Sequence, residues 1–191
     1  MENISDQPGV NGLFSSRIAK YTAENSSFDT SRDYVSLSQV WLSEPDLLKQ
    51  SNQGWEDSLD ARLRCYKGYQ MEKDLLARVV AVYGGRVKTQ VEITAFGGRA
   101  KGHPDFTFDE YPGDCKSVLM DDWLPKEHIL PKRIYWQMQG YMKFSGKDRA
   151  IVIFESRESG KLVDIWVRPN PSIQAAIEAK VANVLKALGN E

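Results

Sequence analysis

Residues 102–118 read GHPDFTFDEYPGDCKSV. Phe106, Thr107 and Phe108 favour extended backbone, and Asp109, Glu110 and Pro112 supply turn chemistry. The stretch therefore predicts two strands, about 102–108 and 113–119, joined by a tight turn. Such a turn brings Asp105 of the first strand and Asp114 of the second to one end of the hairpin. Side chains alternate along a strand, so Lys116 shares the face of Asp114 while Cys115 points the other way, into core. Two clustered carboxylates form a hard oxygen site suited to Mg2+ or Mn2+. A cation beside them is placed to hold water or a phosphate oxygen and to neutralise charge that develops during phosphodiester attack.

The neighbouring segments extend this pattern. Val87–Phe96 has the same strand character, and Gly97 and Gly98 separate it from the hairpin, so a three-stranded antiparallel meander is expected. Before it, apolar residues from Leu59 to Val82 recur at three- and four-residue steps, predicting a long amphipathic helix ended by Gly84 and Gly85. Gly68 costs that helix about 1 kcal/mol relative to Ala, so two helices meeting there are the alternative. Downstream, a helix is expected over about 131–144. Strands follow at Arg149–Glu155 and Lys161–Val167, joined by the turn Arg157–Gly160, and Pro171 and Ser172 open a last helix over 173–188. The order predicts an α/β domain with helices packed on the faces of a sheet.

Length and composition agree with one folded domain carrying an extension. The chain has 191 residues, 41% hydrophobic and 27% charged, which sets aside collagen-like and wholly disordered classes. Its two cysteines, Cys65 and Cys115, exclude a disulfide scaffold, a four-cysteine zinc site and a four-cysteine iron-sulfur cluster. No apolar run approaches the ~18 residues of a bilayer span, and the polar, acidic start does not read as a signal peptide, so a soluble cytoplasmic protein is expected. The division expected is an acidic N-terminal extension, 1–57, irregular to about residue 33 with short helices after it, and a core domain, 58–191.

Charge is distributed unevenly along the chain. Residues 1–59 hold four Lys/Arg against nine Asp/Glu, whereas residues 60–101 hold nine against four. The ordinary reading of the basic segment is a solvated face; the functional one is a groove facing phosphates. Glu72 on the long helix is placed to join the acids, with Lys67, Lys73 and Arg78 toward a polyanion. Gln137 and Tyr141, four residues apart on the next helix, share one face, and Lys132 and Arg133 precede them, a set of donors suited to phosphate oxygens. Each residue also has a plainer role: Asp105 and Asp114 as turn residues, Glu72 as a solvated helix residue, Tyr141 as core. Trp136 and Trp166 are expected in core, and Trp123 is the better candidate for stacking on nucleic acid.

Pro104, Asp105, Asp114 and Lys116 resemble the PD-(D/E)XK nuclease signature, and Gln137 to Tyr141 resembles the Q-x-x-x-Y motif of its RecB-like and lambda-exonuclease-like branch. The words GHPDFTF, PGDCKSV and YWQMQGYM carry the similarity, which covers roughly residues 60–170. It implies a restriction-endonuclease-like core, a mixed central β-sheet flanked by helices. It also implies a Mg2+- or Mn2+-dependent nuclease acting on DNA, an exonuclease of recombination, repair or phage DNA processing. In that reading Asp105, Asp114, Glu72 and the backbone carbonyl of Cys115 hold the metal and Lys116 steadies the attacking water. Gln137 and Tyr141, with Lys132 and Arg133, organise the site and the nucleic-acid backbone. Some relatives place His where Glu72 stands, so Glu92 or His103 is a candidate to share that role. No iron-sulfur cluster is expected, although some relatives carry one. The resemblance also allows a homo-oligomer, because ring-forming oligomers occur in the family, and a recombination partner protein. The competing class is a catalytically inactive nucleic-acid-binding or protein-interaction module on the same scaffold.

Overall fold

Two backbone breaks divide the expected meander between two sheets. The computed structural model of the chain describes residues 34–53, 59–126 and 129–189. Its elements in order are β1 (Val35–Ser36), α1 (Glu44–Gln53), α2 (Leu59–Tyr83), β2 (Val87–Thr89), β3 (Ile93–Ala95), β4 (Ala100–Gly102), β5 (Phe106–Phe108) and β6 (Tyr111–Val118). After them come α3 (Lys132–Ser145), β7 (Ala150–Ser156), β8 (Leu162–Val167) and α4 (Pro171–Ala187). The run expected as one strand over Val87–Phe96 breaks near Gln90, whose φ of 58° lies outside extended backbone. The run 102–108 breaks around Pro104, which has no N–H to give a ladder.

As a result β3 and β4 join β1 in a three-stranded sheet of order β1-β4-β3, while β2 and β5 join a five-stranded sheet of order β2-β5-β6-β7-β8. Within the larger sheet β6 and β7 run parallel and the other neighbours antiparallel. A parallel pair needs a crossover, which α3 supplies. This is the mixed sheet flanked by helices expected from the sequence. Asp105 stands where the chain passes from one sheet to the other.

The two faces of the large sheet bury different partners. Leu75 and Val79 of α2 pack on Phe106, Cys115 and Ile151, on one face. On the other, Val152, Phe154, Ile165 and Val167 meet Met138, Tyr141 and Met142 of α3 and Ile177, Val181 and Val184 of α4. Cys115 thus points into core, as expected. Gly113 of β6 is required by close packing: a Cβ there would lie 2.4 Å from the Phe106 ring. The helix α2 runs unbroken through Gly68, so the two-helix alternative does not occur.

Trp166, expected in core, is 42% exposed, because β8 is an edge strand and α2 does not reach across the whole face. A groove of about 670 Å³ remains there, lined by Val79, Val82, Tyr83, Phe108, Leu162 and Trp166 among others.

Of the expected N-terminal extension, residues 1–33 and 54–57 lie outside the described residues, Trp55 among them. Residues 35–48 contribute Val35, Leu37, Val40, Leu42 and Leu47 to the main core. Ser43 precedes α1 and its Oγ accepts from the Asp46 N–H at 3.3 Å, with Pro45 in the first turn. Lys180 of α4 ties the segment down, its Nζ donating to the carbonyls of Val40 (2.9 Å) and Leu42 (2.7 Å). Among the described residues no helix is long and apolar enough to cross a membrane.

Leu37 is 0% exposed within this docked segment. Leu37→Ala is expected to cost about 2–5 kcal/mol, as truncation in a packed core does. Urea denaturation checks this, and a cost below 1 kcal/mol would mean that the segment is an appendage rather than core.

Candidate active site

The site forms where one strand loses its neighbour. β5 accompanies β6 only as far as the pair Phe106↔Gly113, whereas β7 follows β6 to Val118. From Asp114 onward, β6 therefore has a bare edge, and backbone groups there need other partners. The Cys115 N–H donates to Asp105 Oδ2 at 2.7 Å, and the Ser117 N–H donates to Glu72 Oε1 at 3.3 Å. One carboxylate comes from the sheet crossing and the other from α2. The Cys115 carbonyl accepts from Lys116 Nζ at 3.2 Å.

Asp114 and Lys116 alternate with these groups along β6. Asp114 is only 2% exposed; its Oδ1 accepts from Gln137 Nε2 at 3.3 Å, and its Oδ2 lies 2.5 Å from Lys116 Nζ. The last contact is not directed as a hydrogen bond, so Asp114 Oδ2 has an ionic neighbour alone. Gln137 uses its second amide hydrogen on Tyr141 Oη at 3.1 Å, and the Tyr141 hydroxyl donates to the His103 carbonyl at 3.1 Å. Gln137 and Tyr141 are thus neighbours on α3, as their spacing predicts. They link Asp114 to the backbone just before Pro104.

Three acids share one ammonium here. Burial raises the Asp105 carboxyl to about 7, with Asp114 adding repulsion. Burial also raises Glu72, partly opposed by Lys116. For Lys116, burial alone would lower the ammonium, but Asp114, Glu72 and Asp105 outweigh it and hold the group above its usual range. Lys116 is therefore a fixed positive charge. Burial lifts both the Tyr141 phenol and the Cys115 thiol, so neither ionises near neutrality.

Among the described residues no three Asp, Glu, His or Cys side chains stand ready as a cation cage. Lys116 leans on Asp114, and a backbone N–H holds each of the other two carboxylates. The donor set nevertheless suits a divalent cation: hard oxygens, an Asp114 Oδ2 whose one neighbour is the Lys116 ammonium, and more negative charge than that ammonium can neutralise.

Other residues singled out in the sequence lie apart from the acids. Glu92 and His103 pair with each other on the surface, Glu92 Oε2 to His103 Nε2 at 3.1 Å, with Lys101 nearby. Lys132 and Arg133 are exposed on the first turn of α3, and Lys132 lies over the Trp136 ring. Lys67 and Lys73 are exposed on α2, while Arg78 is engaged by Glu155 at 2.5 Å. Trp123 is exposed in a short 3-10 turn. Two residues at the site escaped the sequence reading. Ser117 follows Lys116, and Arg157, read only as a turn residue, donates from Nη2 to Ser117 Oγ at 2.8 Å. The one signal was Gly68 in mid-helix, and it points to a neighbour only once the fold is known.

The chain matches no protein-family model and no curated protein. Its fold is shared with solved exonucleases. An alkaline exonuclease, LHK-Exo, from Laribacter hongkongensis superposes with a TM-score of 0.59 at 17% identity, over 94% of this chain and 93% of that one. The structure of LHK-Exo in complex with dAMP gives 0.58 at 19% identity, over 92% of each chain. A phage-related exonuclease from Haemophilus somnus 129PT gives 0.54 at 15% identity, over 75% of this chain and 78% of that one. At these identities the likeness establishes the fold alone, the mixed sheet flanked by helices that the sequence resemblance implies.

The raised carboxyl of Asp105 has a consequence for stability. Its ordinary value is 3.8, so the unfolded chain releases this proton first, and folding is penalised increasingly as pH rises from about 4 to about 7. Without added metal, Asp105→Asn should gain stability over the parent protein across that window and keep a constant margin above it. Urea midpoints in EDTA from pH 4 to 8 measure the margin; one that is flat or shrinks with rising pH would refute the assignment.

Proposed function

We propose that the protein is a divalent-metal-dependent nuclease that hydrolyses DNA phosphodiester bonds, acting as an exonuclease in recombination, repair or phage DNA processing. The observation that carries this reading is the gathering of Glu72 from α2, Asp105 from the β4–β5 crossing and Asp114 from β6 around the partly buried ammonium of Lys116 at the bare edge of β6. Acids crowded together repel one another, and such crowding has chemical purpose when a cation is to be bound. The shared fold of the exonucleases, one of them solved with dAMP, supports the same reading.

In this proposal Asp105, Asp114, Glu72 and the Cys115 carbonyl hold Mg2+ or Mn2+. When bound, the ion supplies charge neutralisation at the phosphate and a lowered pKa for the attacking water. The remaining work belongs to side chains of this chain. Lys116, kept protonated by its acidic neighbours, serves as a cation rather than a base: it donates to the attacking water or to a phosphate oxygen as negative charge grows there. Gln137 fixes the orientation of Asp114, and the buried Tyr141 fixes Gln137, so the pair positions the acid. Lys132 and Arg133 offer exposed positive charge for the DNA backbone at the start of α3.

Purified protein incubated with 5′- and 3′-labelled linear duplex, single-stranded and circular DNA, with Mn2+, Mg2+ or EDTA, tests the proposal. Metal-dependent release of label is expected, with circles spared. Asp114→Ala and Lys116→Ala should each lose at least about 10²–10³-fold in rate. Full metal-dependent activity in both variants would remove these residues from the reaction. Independently, Mn2+ or Ca2+ at about 100 times its dissociation constant should stabilise the protein by about 2.7 kcal/mol, and Asp114→Asn should respond far less. Thermal unfolding with and without the ion reads that difference.

A further inference from the structure

Arg157 opens the turn after β7, and its main chain is anchored there by a hydrogen bond from its N–H to the Val118 carbonyl at 2.8 Å. Its side chain folds back toward the acidic group. Nη2 donates to Ser117 Oγ, one residue beyond Lys116, and Arg157 acts electrostatically on Glu72. The helix α2 makes room for it: a Cβ at Gly68 would lie 3.1 Å from Nη2. Gly68 is one helical turn before Glu72, so the glycine that weakens the helix opens the space occupied by the guanidinium.

The partners of this guanidinium are too few for its capacity. Arginine carries five N–H donors in a planar fork suited to phosphate. Among the described residues, one neutral hydroxyl is its side-chain hydrogen-bond partner, and no carboxylate pairs with it within ion-pair distance. Nε is sealed without an acceptor, while Nη1 has no hydrogen-bond partner among the described residues and is not sealed. Arg78, on the same helix as Gly68, is by contrast engaged by Glu155. An uncommitted guanidinium near Glu72, on the α2 side of the acidic group, is matched by an anionic ligand that lies across the site.

We infer that Arg157 is a phosphate-binding residue of this site, holding a phosphate of the nucleic-acid backbone on the α2 side of the acidic group. The inference rests on the nuclease reading and adds to it a subsite. Lys116 and Arg157 then flank the acids along β6, and Ser117 keeps the fork oriented. The phosphate is either an internal phosphodiester or a terminal 5′-phosphate, both of which present the same oxygens.

Binding of a fluorescent DNA duplex, with Ca2+ in place of Mg2+, is measured by anisotropy across a salt series for the parent protein, Arg157→Gln and Arg157→Lys. Each probe is prepared with a 5′-phosphate and with a 5′-hydroxyl. Arg157→Gln is expected to weaken binding and to lower the slope of log K against log salt by about 0.9, the loss of one phosphate contact on duplex DNA. Arg157→Lys should retain that slope. An equal effect on both probes identifies an internal phosphodiester, and an effect confined to the phosphorylated probe identifies the terminus. A Gln variant with unchanged affinity and slope overturns the inference, even if it melts lower, because a turn buttress would change stability alone.

A second measurement needs no variant. Phenylglyoxal modification of the parent protein, read by mass spectrometry, should label Arg157 and be blocked by the duplex. Labelling that DNA does not reduce, or no labelling in free protein, would also overturn the inference. Failure of the parent protein to bind DNA at all removes the nuclease reading and this subsite together, whereas cleavage by a parent protein whose Arg157→Gln variant binds identically removes the subsite alone.

Discussion

The bare edge of β6 beyond Gly113 is the constraint on which the site depends. A strand that keeps one neighbour and loses the other leaves alternate N–H groups unpaired, and each left unsatisfied in a partly buried place costs about 1–3 kcal/mol. Here Asp105 and Glu72 satisfy them, at Cys115 and Ser117. The backbone edge therefore draws two carboxylates from distant elements to within reach of Asp114. The geometry of the candidate site is partly a solution to a hydrogen-bonding problem of the sheet.

That solution creates an electrostatic tension. The three acids are brought into a place with little water and a single ammonium, and the Asp105 carboxyl rises to about 7 in response. Lys116 relieves part of the repulsion and is itself held charged by it. The α3 side adds a relay of neutral donors, Gln137 to Asp114 and Tyr141 to the His103 carbonyl, which fixes orientation without adding charge. A bound cation would relax the tension and turn the same groups from mutual destabilisers into ligands.

Packing around the site explains residues that look out of place in isolation. Gly113 lies beneath the Phe106 ring, which closes the end of the β5–β6 pairing. Gly68 opens a helix surface to an arginine from the turn after β7. The segment Val35–Leu48 looks like part of a polar arm by composition, yet its few apolar residues are among the most buried in the chain. Lys180 secures it through two carbonyls, a role that no local pattern announces.

Much of the architecture was legible in the sequence, because hydrophobic periodicity, proline and glycine act locally. The helices at 59–83, 132–145 and 171–187 and the strands at 150–156 and 162–167 follow from spacing alone, within a residue or two at most ends. The faces of Asp114, Lys116, Gln137 and Tyr141 were legible, since strand and helix periods place each of them, whereas Asp105 lies in the crossing between β4 and β5, where no period acts. The division of the meander into two sheets was not, because Gln90 carries a left-handed conformation that its side chain does not demand. Nor were the exposure of Trp166 or the place of Arg157, which depend on how far α2 extends across the sheet and on where the β7–β8 turn meets β6. Local preference determined which residues sit on which face of their own element. Only the tertiary structure decided which faces meet, since a hydrogen bond between residues 45 positions apart, such as Ser117 to Glu72, leaves no trace in either neighbourhood.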